Sequence, residues 1–176
     1  RPGRAWVVAA PPAPVYPIHD AARRWPPQRG ADAADGMAAV TSIMRAQAIM
    51  LSRVDDVLRP LSLTFARYEL LMLLHFSRTG ALPMARASAR LQVHPASVTN
   101  AATRLERAGL VRRRPHPTDG RAVLVEITEP GRALAVTATD ALNREVFCQP
   151  MLPPRRLTAL VAAVRDLRRN AGDFAG

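Results

Sequence analysis

The chain has 176 residues, enough for one domain with a real core plus a long dimerisation or linker segment, and too few for two full domains. Its 48% apolar and 22% charged residues are ordinary for a globular protein, while 5% aromatic residues argue against an aromatic stacking platform for single-stranded nucleic acid. The 25 basic residues, all of them Arg, stand against 14 acidic ones for a net charge of +11, which points to a polyanionic partner. Arg suits phosphate and guanine; an all-Arg, Ala-rich composition is equally what a GC-rich genome produces.

Residues 1 to about 30 hold seven of the 16 prolines and five Arg. They read as an extended basic arm in which the prolines keep out regular elements. The early run AWVVAAPPAPV is too short and too broken for a membrane span, and it matches a cleaved signal poorly. From Asp35 onward, Met37, Val40, Met44, Ala48, Leu51, Val54 and Leu58 recur at three- and four-residue steps, predicting a long helix that Pro60 ends. Thr64 is the expected N-cap of a second helix reaching about Arg78, apolar around most of its circumference and so central to the core, with Gly80 at its exit.

Pro83 is expected in the first turn of a short helix with Ala85, Ala89 and Leu91 as its stripe, ending near Gln92. Val93-His94-Pro95 makes a tight turn, and a further helix runs from Ala96 to Ala108, closed by Gly109. Two helices joined this closely are a helix-turn-helix candidate. After Gly109 the period changes to strand, turn, strand, with Asp119-Gly120 at the turn and Val123, Val125 and Ile127 expected on one face. Thr128 caps a helix carrying Leu134, Ala138, Leu142 and Val146 to about Phe147. A last helix, about 155 to 170, aligns Leu157, Leu160, Val161, Val164 and Leu167.

In the helix after His94, Val98, Ala101, Ala102 and Leu105 are expected to face the core. Ser97, Asn100, Arg104 and Arg107 then share the outward face, flanked by Thr99 and Thr103. Asn can bond an adenine edge twice, Arg can fork onto guanine, and hydroxyls can take phosphate, which is the chemistry of a major-groove reader. A solvated helix surface has the same composition; the preceding short helix and the following hairpin favour the reader. The hairpin adds Arg112, Arg113, Arg114 and Arg121, with Arg112 and Arg114 on one face of their strand and Arg113 on the other. Arg121 follows the turn and can enter a narrow minor groove, while Asp119 holds the turn or steadies a neighbouring Arg. Residues 84–128 hold eight Arg against Glu106, Asp119 and Glu126, the densest positive excess outside the arm.

The segments VTNAATRLERAGLVRR and PTDGRAVLVEITEPG, with Asp119, Arg121, Thr128 and Gly131 in the second, resemble the recognition helix and wing of MarR family winged helix-turn-helix regulators. The helix order over about 35–172 is similar too. The resemblance implies a mainly α fold with a small β-hairpin wing. Beyond the arm at 1–34, which the likeness does not cover, it divides the chain into a helical dimerisation region at 35–60 and 129–176 and a DNA-binding domain at 61–128. It further implies a homodimer whose terminal helices interlock, with paired recognition helices in successive major grooves of a pseudo-palindromic operator and the wing Arg in the minor groove. Repression released by a small aromatic or CoA-linked effector follows from the same likeness, with Arg45, Phe65, Tyr68, Met72 and His75 near the expected ligand space; each serves equally well as core or rim. Long apolar stripes at both ends support a dimer independently, since they exceed what one small core needs.

No cofactor is expected, nor a metal, because His19, His75, His94 and His116 lie far apart. The single cysteine, Cys148, rules out an intrachain disulfide and is expected as a buried small hydrophobe. An enzyme lacks its parts here: there is no phosphate loop, nucleophile elbow or convergent carboxylate set. The expected setting is the cytoplasm, at the nucleoid. Two other readings stand: a nonspecific architectural DNA binder, which needs the Arg excess but not Asn100, and a winged-helix protein-interaction module, which needs neither.

Overall fold

A computed structural model describes residues 16–24, 31–119 and 122–174. Its elements in chain order are α1 (Pro17–Arg23), α2 (Ala31–Leu58), α3 (Phe65–His75), β1 (Ala81–Pro83), α4 (Met84–Leu91), α5 (Pro95–Arg107), β2 (Val111–Pro115), β3 (Val123–Ile127), α6 (Glu129–Leu142) and α7 (Pro154–Asn170). A 3₁₀ turn at Arg59–Leu61 follows α2, and a π-helical turn at Asn143–Phe147 extends α6.

The first departure from expectation is α1. Pro17 opens that helix, where its missing N–H is no loss, and Asp20 pairs with Arg23 and Arg24. Tyr16 ties the segment to α2 through a 2.6 Å hydrogen bond between its hydroxyl and Ser42 Oγ. The proline-rich arm expected at 1–34 therefore contains a regular element at 17–23 and gives its last four residues to α2, because the helix starts four residues before Asp35; residues 1–15 and 25–30 lie outside those described. The helix expected from Asp35 begins at Ala31 and stops before Pro60, as proline geometry demands.

The core is built on α3, whose Leu70, Leu71 and Leu74 are wholly buried beside Tyr68, against Leu58 of α2, Leu105 of α5 and Leu142 of α6. Helix α3 ends at His75 rather than Arg78. Gly80 adopts φ +70° and its carbonyl accepts from Ile127 N at 2.9 Å, which starts a strand rather than ending a helix. That strand, β1, adds a third member to the expected hairpin. The sheet order is β1-β3-β2, antiparallel throughout, with Leu82 opposite Val125 and Arg113 opposite Val125 from the other side. Three residues are too few to show alternation in a sequence. Pro115 sits at the end of the edge strand β2, where a missing donor is tolerated.

Pro83 ends β1 and precedes α4 instead of lying inside it. Ala85 and Ala89 of α4 are exposed, and it is Ala87 and Ser88 that are buried, because β1 sets the helix down rotated from the expected stripe. In β3, Val125 and Ile127 are buried as expected but Val123 is largely exposed, lying toward the wing tip beyond the core; Leu124 is buried on the opposite face. Cys148, expected inside, is exposed just after the π turn. Val146, the last residue of the expected stripe, stays buried, and the chain is exposed immediately after it.

The two long stripes divide unequally. Val54 and Leu58 of α2 enter the core, but Val40, Met44 and Leu51 of the same stripe are exposed, Val40 by 57%. On α7, Leu160, Val161, Val164 and Leu167 are all exposed, Val161 by 61%. The chain completes its core without them.

Candidate nucleic-acid interface

Pro95 begins α5 with its φ already helical, and His94 Nδ1 accepts from Ala96 N at 3.2 Å, occupying one of the helix's orphan donors. Gly109, at φ +71°, lets the chain leave the C-terminus in the left-handed conformation. Between these ends the helix is divided as its sequence predicts. Val98, Ala101, Ala102 and Leu105 are buried, and Ser97, Asn100, Arg104 and Arg107 are exposed. Arg104 Nε donates to Asn100 Oδ1 at 3.2 Å, so two of the outward residues form one polar pair.

The flanking threonines differ from that set. Thr99 Oγ1 donates back to Pro95 O at 3.0 Å, and Thr103 Oγ1 donates to Thr99 O at 2.8 Å. Thr103 also accepts from Arg113 Nη2 at 2.6 Å, and the same guanidinium reaches Thr99 O and pairs with Glu106. Glu106 completes the junction by accepting from Arg113 N at 3.0 Å. Arg113, outside the set of candidate contacts, thus fixes the wing to the recognition helix; strand alternation already set it apart from its neighbours.

Arg112 and Arg114 emerge on the far side of the sheet, where both Nε atoms lie 3.0 Å from Glu126 Oε2. The hydrogen bond from Arg112, reinforced by the charges of Arg112, Arg114 and Arg132, holds the Glu126 carboxyl below its ordinary range despite partial burial. The same bond raises Arg112. The structure therefore does not bring Arg112 and Arg114 together with Asn100 and Arg104. At the wing tip, Asp119 O accepts from Ala122 N and Ala122 O from His116 N, each at 3.0 Å. Gly120 and Arg121 lie outside the described residues.

Of the residues expected near an effector, Phe65 stacks on Tyr68 with ring centres 6.2 Å apart. Thr139 Oγ1 joins the Tyr68 hydroxyl at 3.0 Å and Met72 Sδ at 3.2 Å. His75 is half-buried with Nδ1 enclosed and unbonded, and Arg45 is exposed on α2; neither joins that cluster. Among the described residues no helix is long and apolar enough to cross a membrane.

A short helix, a tight turn, an exposed polar helix and a three-stranded wing locked to it define a winged helix-turn-helix DNA-binding protein. The MarR family model matches residues 61–122. An HTH-type transcriptional regulator of Mycobacterium leprae is 33% identical over 106 residues, covering 60% of this chain and 69% of that protein. The solved structure of Sco5413, a MarR family transcriptional regulator from Streptomyces coelicolor, is 48% identical, covers 81% of this chain and 99% of its own, and superposes with a TM-score of 0.74. Sco3205 from the same organism, solved in complex with DNA, shares the fold at 24% identity and a TM-score of 0.68, covering 84% of this chain and 90% of its own. The chain belongs to the MarR family: it is a DNA-binding transcriptional regulator and not an enzyme.

Proposed function

We propose that the protein is a homodimeric repressor that reads a pseudo-palindromic operator, placing one α5 in each of two successive major grooves. The observation that carries this reading is the undivided outward face of Ser97, Asn100, Arg104 and Arg107 on a helix whose other face is wholly in the core. Thr99 lies beside that face, and Arg121 is the wing residue assigned to the minor groove. Arg112 and Arg114 contribute positive field more than direct contact, because Glu126 already engages both. Asp119 serves the wing turn.

Dimerisation draws on the exposed halves of the α2 and α7 stripes, which offer apolar surface that a second copy would remove from water. Residues 35–60 and 129–176 form the dimerisation region in this reading, and 61–128 the DNA-binding domain. Release from DNA follows the binding of a small aromatic or CoA-linked effector beside the Phe65, Tyr68 and Met72 cluster, with Arg45 and His75 at its edge. The setting is the cytoplasm, at the nucleoid.

The test is a fluorescence-anisotropy salt titration on the pseudo-palindrome of the neighbouring promoter and on random duplexes, paired with sedimentation of the free protein. Sequence-dependent affinity that persists once phosphate contacts are screened, together with a dimer that Val161→Glu splits, supports the proposal. Equal affinity for every duplex would make the protein an architectural binder, and absence of DNA binding would make the winged helix a protein-interaction module.

A further inference from the structure

A cavity of about 610 Å³ lies between the end of α3, β1, the side of α4 and the outer face of the sheet. Its size is that of a small-molecule site. Arg78, Arg86, Arg90 and Arg114 line it together with His116. Arg86 and Arg90 stand four residues apart on α4 and so project from one side of that helix. None of Arg78, Arg86 and Arg90 pairs with a carboxylate among the described residues, and the nearby Glu126 is already shared by Arg112 and Arg114. Guanidiniums gathered around a concavity without counter-charge repel one another; an anion placed among them attracts each one and offsets that repulsion. The floor is apolar. Leu82 and Leu124 are buried beneath the cavity, Pro83 closes one wall, and the ring of Phe76, 77% exposed, stands at the rim.

The cavity is separate from the recognition surface. No α5 residue lines it. Arg113 turns to α5, and strand alternation puts Arg114 on the opposite side of the sheet. We infer that this cavity binds a small organic anion: a carboxylate or phosphate held by Arg78, Arg86 and Arg90, attached to a flat apolar body that lies over Leu82 and Leu124 against Phe76. Such a ligand joins α4, the first helix of the helix-turn-helix, to β3 of the wing. The inference does not depend on the operator reading.

The full chain, free of DNA, is titrated with phenyl phosphate while the Arg side-chain Nε–Hε resonances are followed by NMR, with inorganic phosphate and benzyl alcohol as probes lacking the ring or the charge. Saturable shifts are expected for phenyl phosphate, with inorganic phosphate weaker and benzyl alcohol silent. Arg86→Gln with Arg90→Gln, both exposed and outside the core, should weaken phenyl phosphate binding by about 10-fold or more, with an unchanged melting curve. Phe76→Ala should narrow the gap between phenyl phosphate and inorganic phosphate. Shifts that grow linearly without saturation, or equal affinity in the double variant, would overturn the inference. So would loss of DNA affinity in the double variant with no phenyl phosphate binding by the parent, which would make these arginines backbone contacts.

Discussion

The guanidinium of Arg113 donates to Thr103 Oγ1 across 2.6 Å, and that contact ties the wing strand to the recognition helix. The Arg113 side chain is only 29% exposed and also pairs with Glu106, so its bonds are partly shielded from water. Replacing Arg113 with Ala should cost about 1–3 kcal/mol, read as a lower urea midpoint, since several charge-assisted bonds vanish together. Lys should rescue little, because a point charge cannot serve Thr99, Thr103 and Glu106 at once. An unchanged midpoint would show that the wing is held by its apolar strand residues alone.

Asn100 is the sharpest candidate for base reading, paired in the free protein with Arg104. Asn100→Ala should relax preference at one operator position per half-site, by roughly 1–3 kcal/mol, in a binding assay across single-base variants. A uniform loss over all sequences would instead make Asn100 a backbone contact.

Arg121 follows the wing turn in sequence. Arg121→Ala should weaken operator binding and lower the slope of log affinity against log salt by about one. Unaltered affinity would remove Arg121 from the interface.

Two carboxyls should move stability with pH in opposite senses. Glu126 is held low by Arg112, so its contribution is present above the unfolded value of about 4.3 and fades as pH falls through its depressed folded value. Glu69 is raised by burial, so the fold favours its neutral form and loses stability as pH rises through that value. At neutral pH, Glu126→Gln should lower the urea midpoint and Glu69→Gln should raise it, and near about pH 3 both differences should shrink. Parallel shifts at both pH values would trace the effects to packing instead.

Gly131, in the first turn of α6, has no room for a side chain. A Cβ there would overlap Leu110 O and lie 2.9 Å from Ile127 Cγ1. Gly131→Ala should destabilise by about 1–3 kcal/mol, through displacement of backbone rather than of a flexible chain end. Retained stability would mean that α6 can slide away from the sheet.

Long periodic stretches were legible in the sequence. The core face of α5, the Thr128 cap, whose hydroxyl accepts from Gly131 N at 3.2 Å, and the Gly109 exit all rest on interactions within a few residues, where spacing alone dictates which side chains meet. The family likeness was legible for the same reason, since VTNAATRLERAGLVRR joins a helix face to the strand that follows it.

Contacts between distant segments decided the remainder. β1 exists because Ala81–Pro83 finds β3 some forty residues later, and that pairing rotates α4 so that Ala87 and Ser88 face inward in place of Ala85 and Ala89. Alternation separated Arg113 from Arg112 and Arg114, but only the packed sheet assigned Thr103 and Glu106 to the first and Glu126 to the others. The basic cavity behind the wing draws on α3, β1, α4 and both hairpin strands. Local periodicity specifies which face of an element is apolar; it carries no information about which distant charge that face will meet, because chain separation and spatial separation become independent once the core closes.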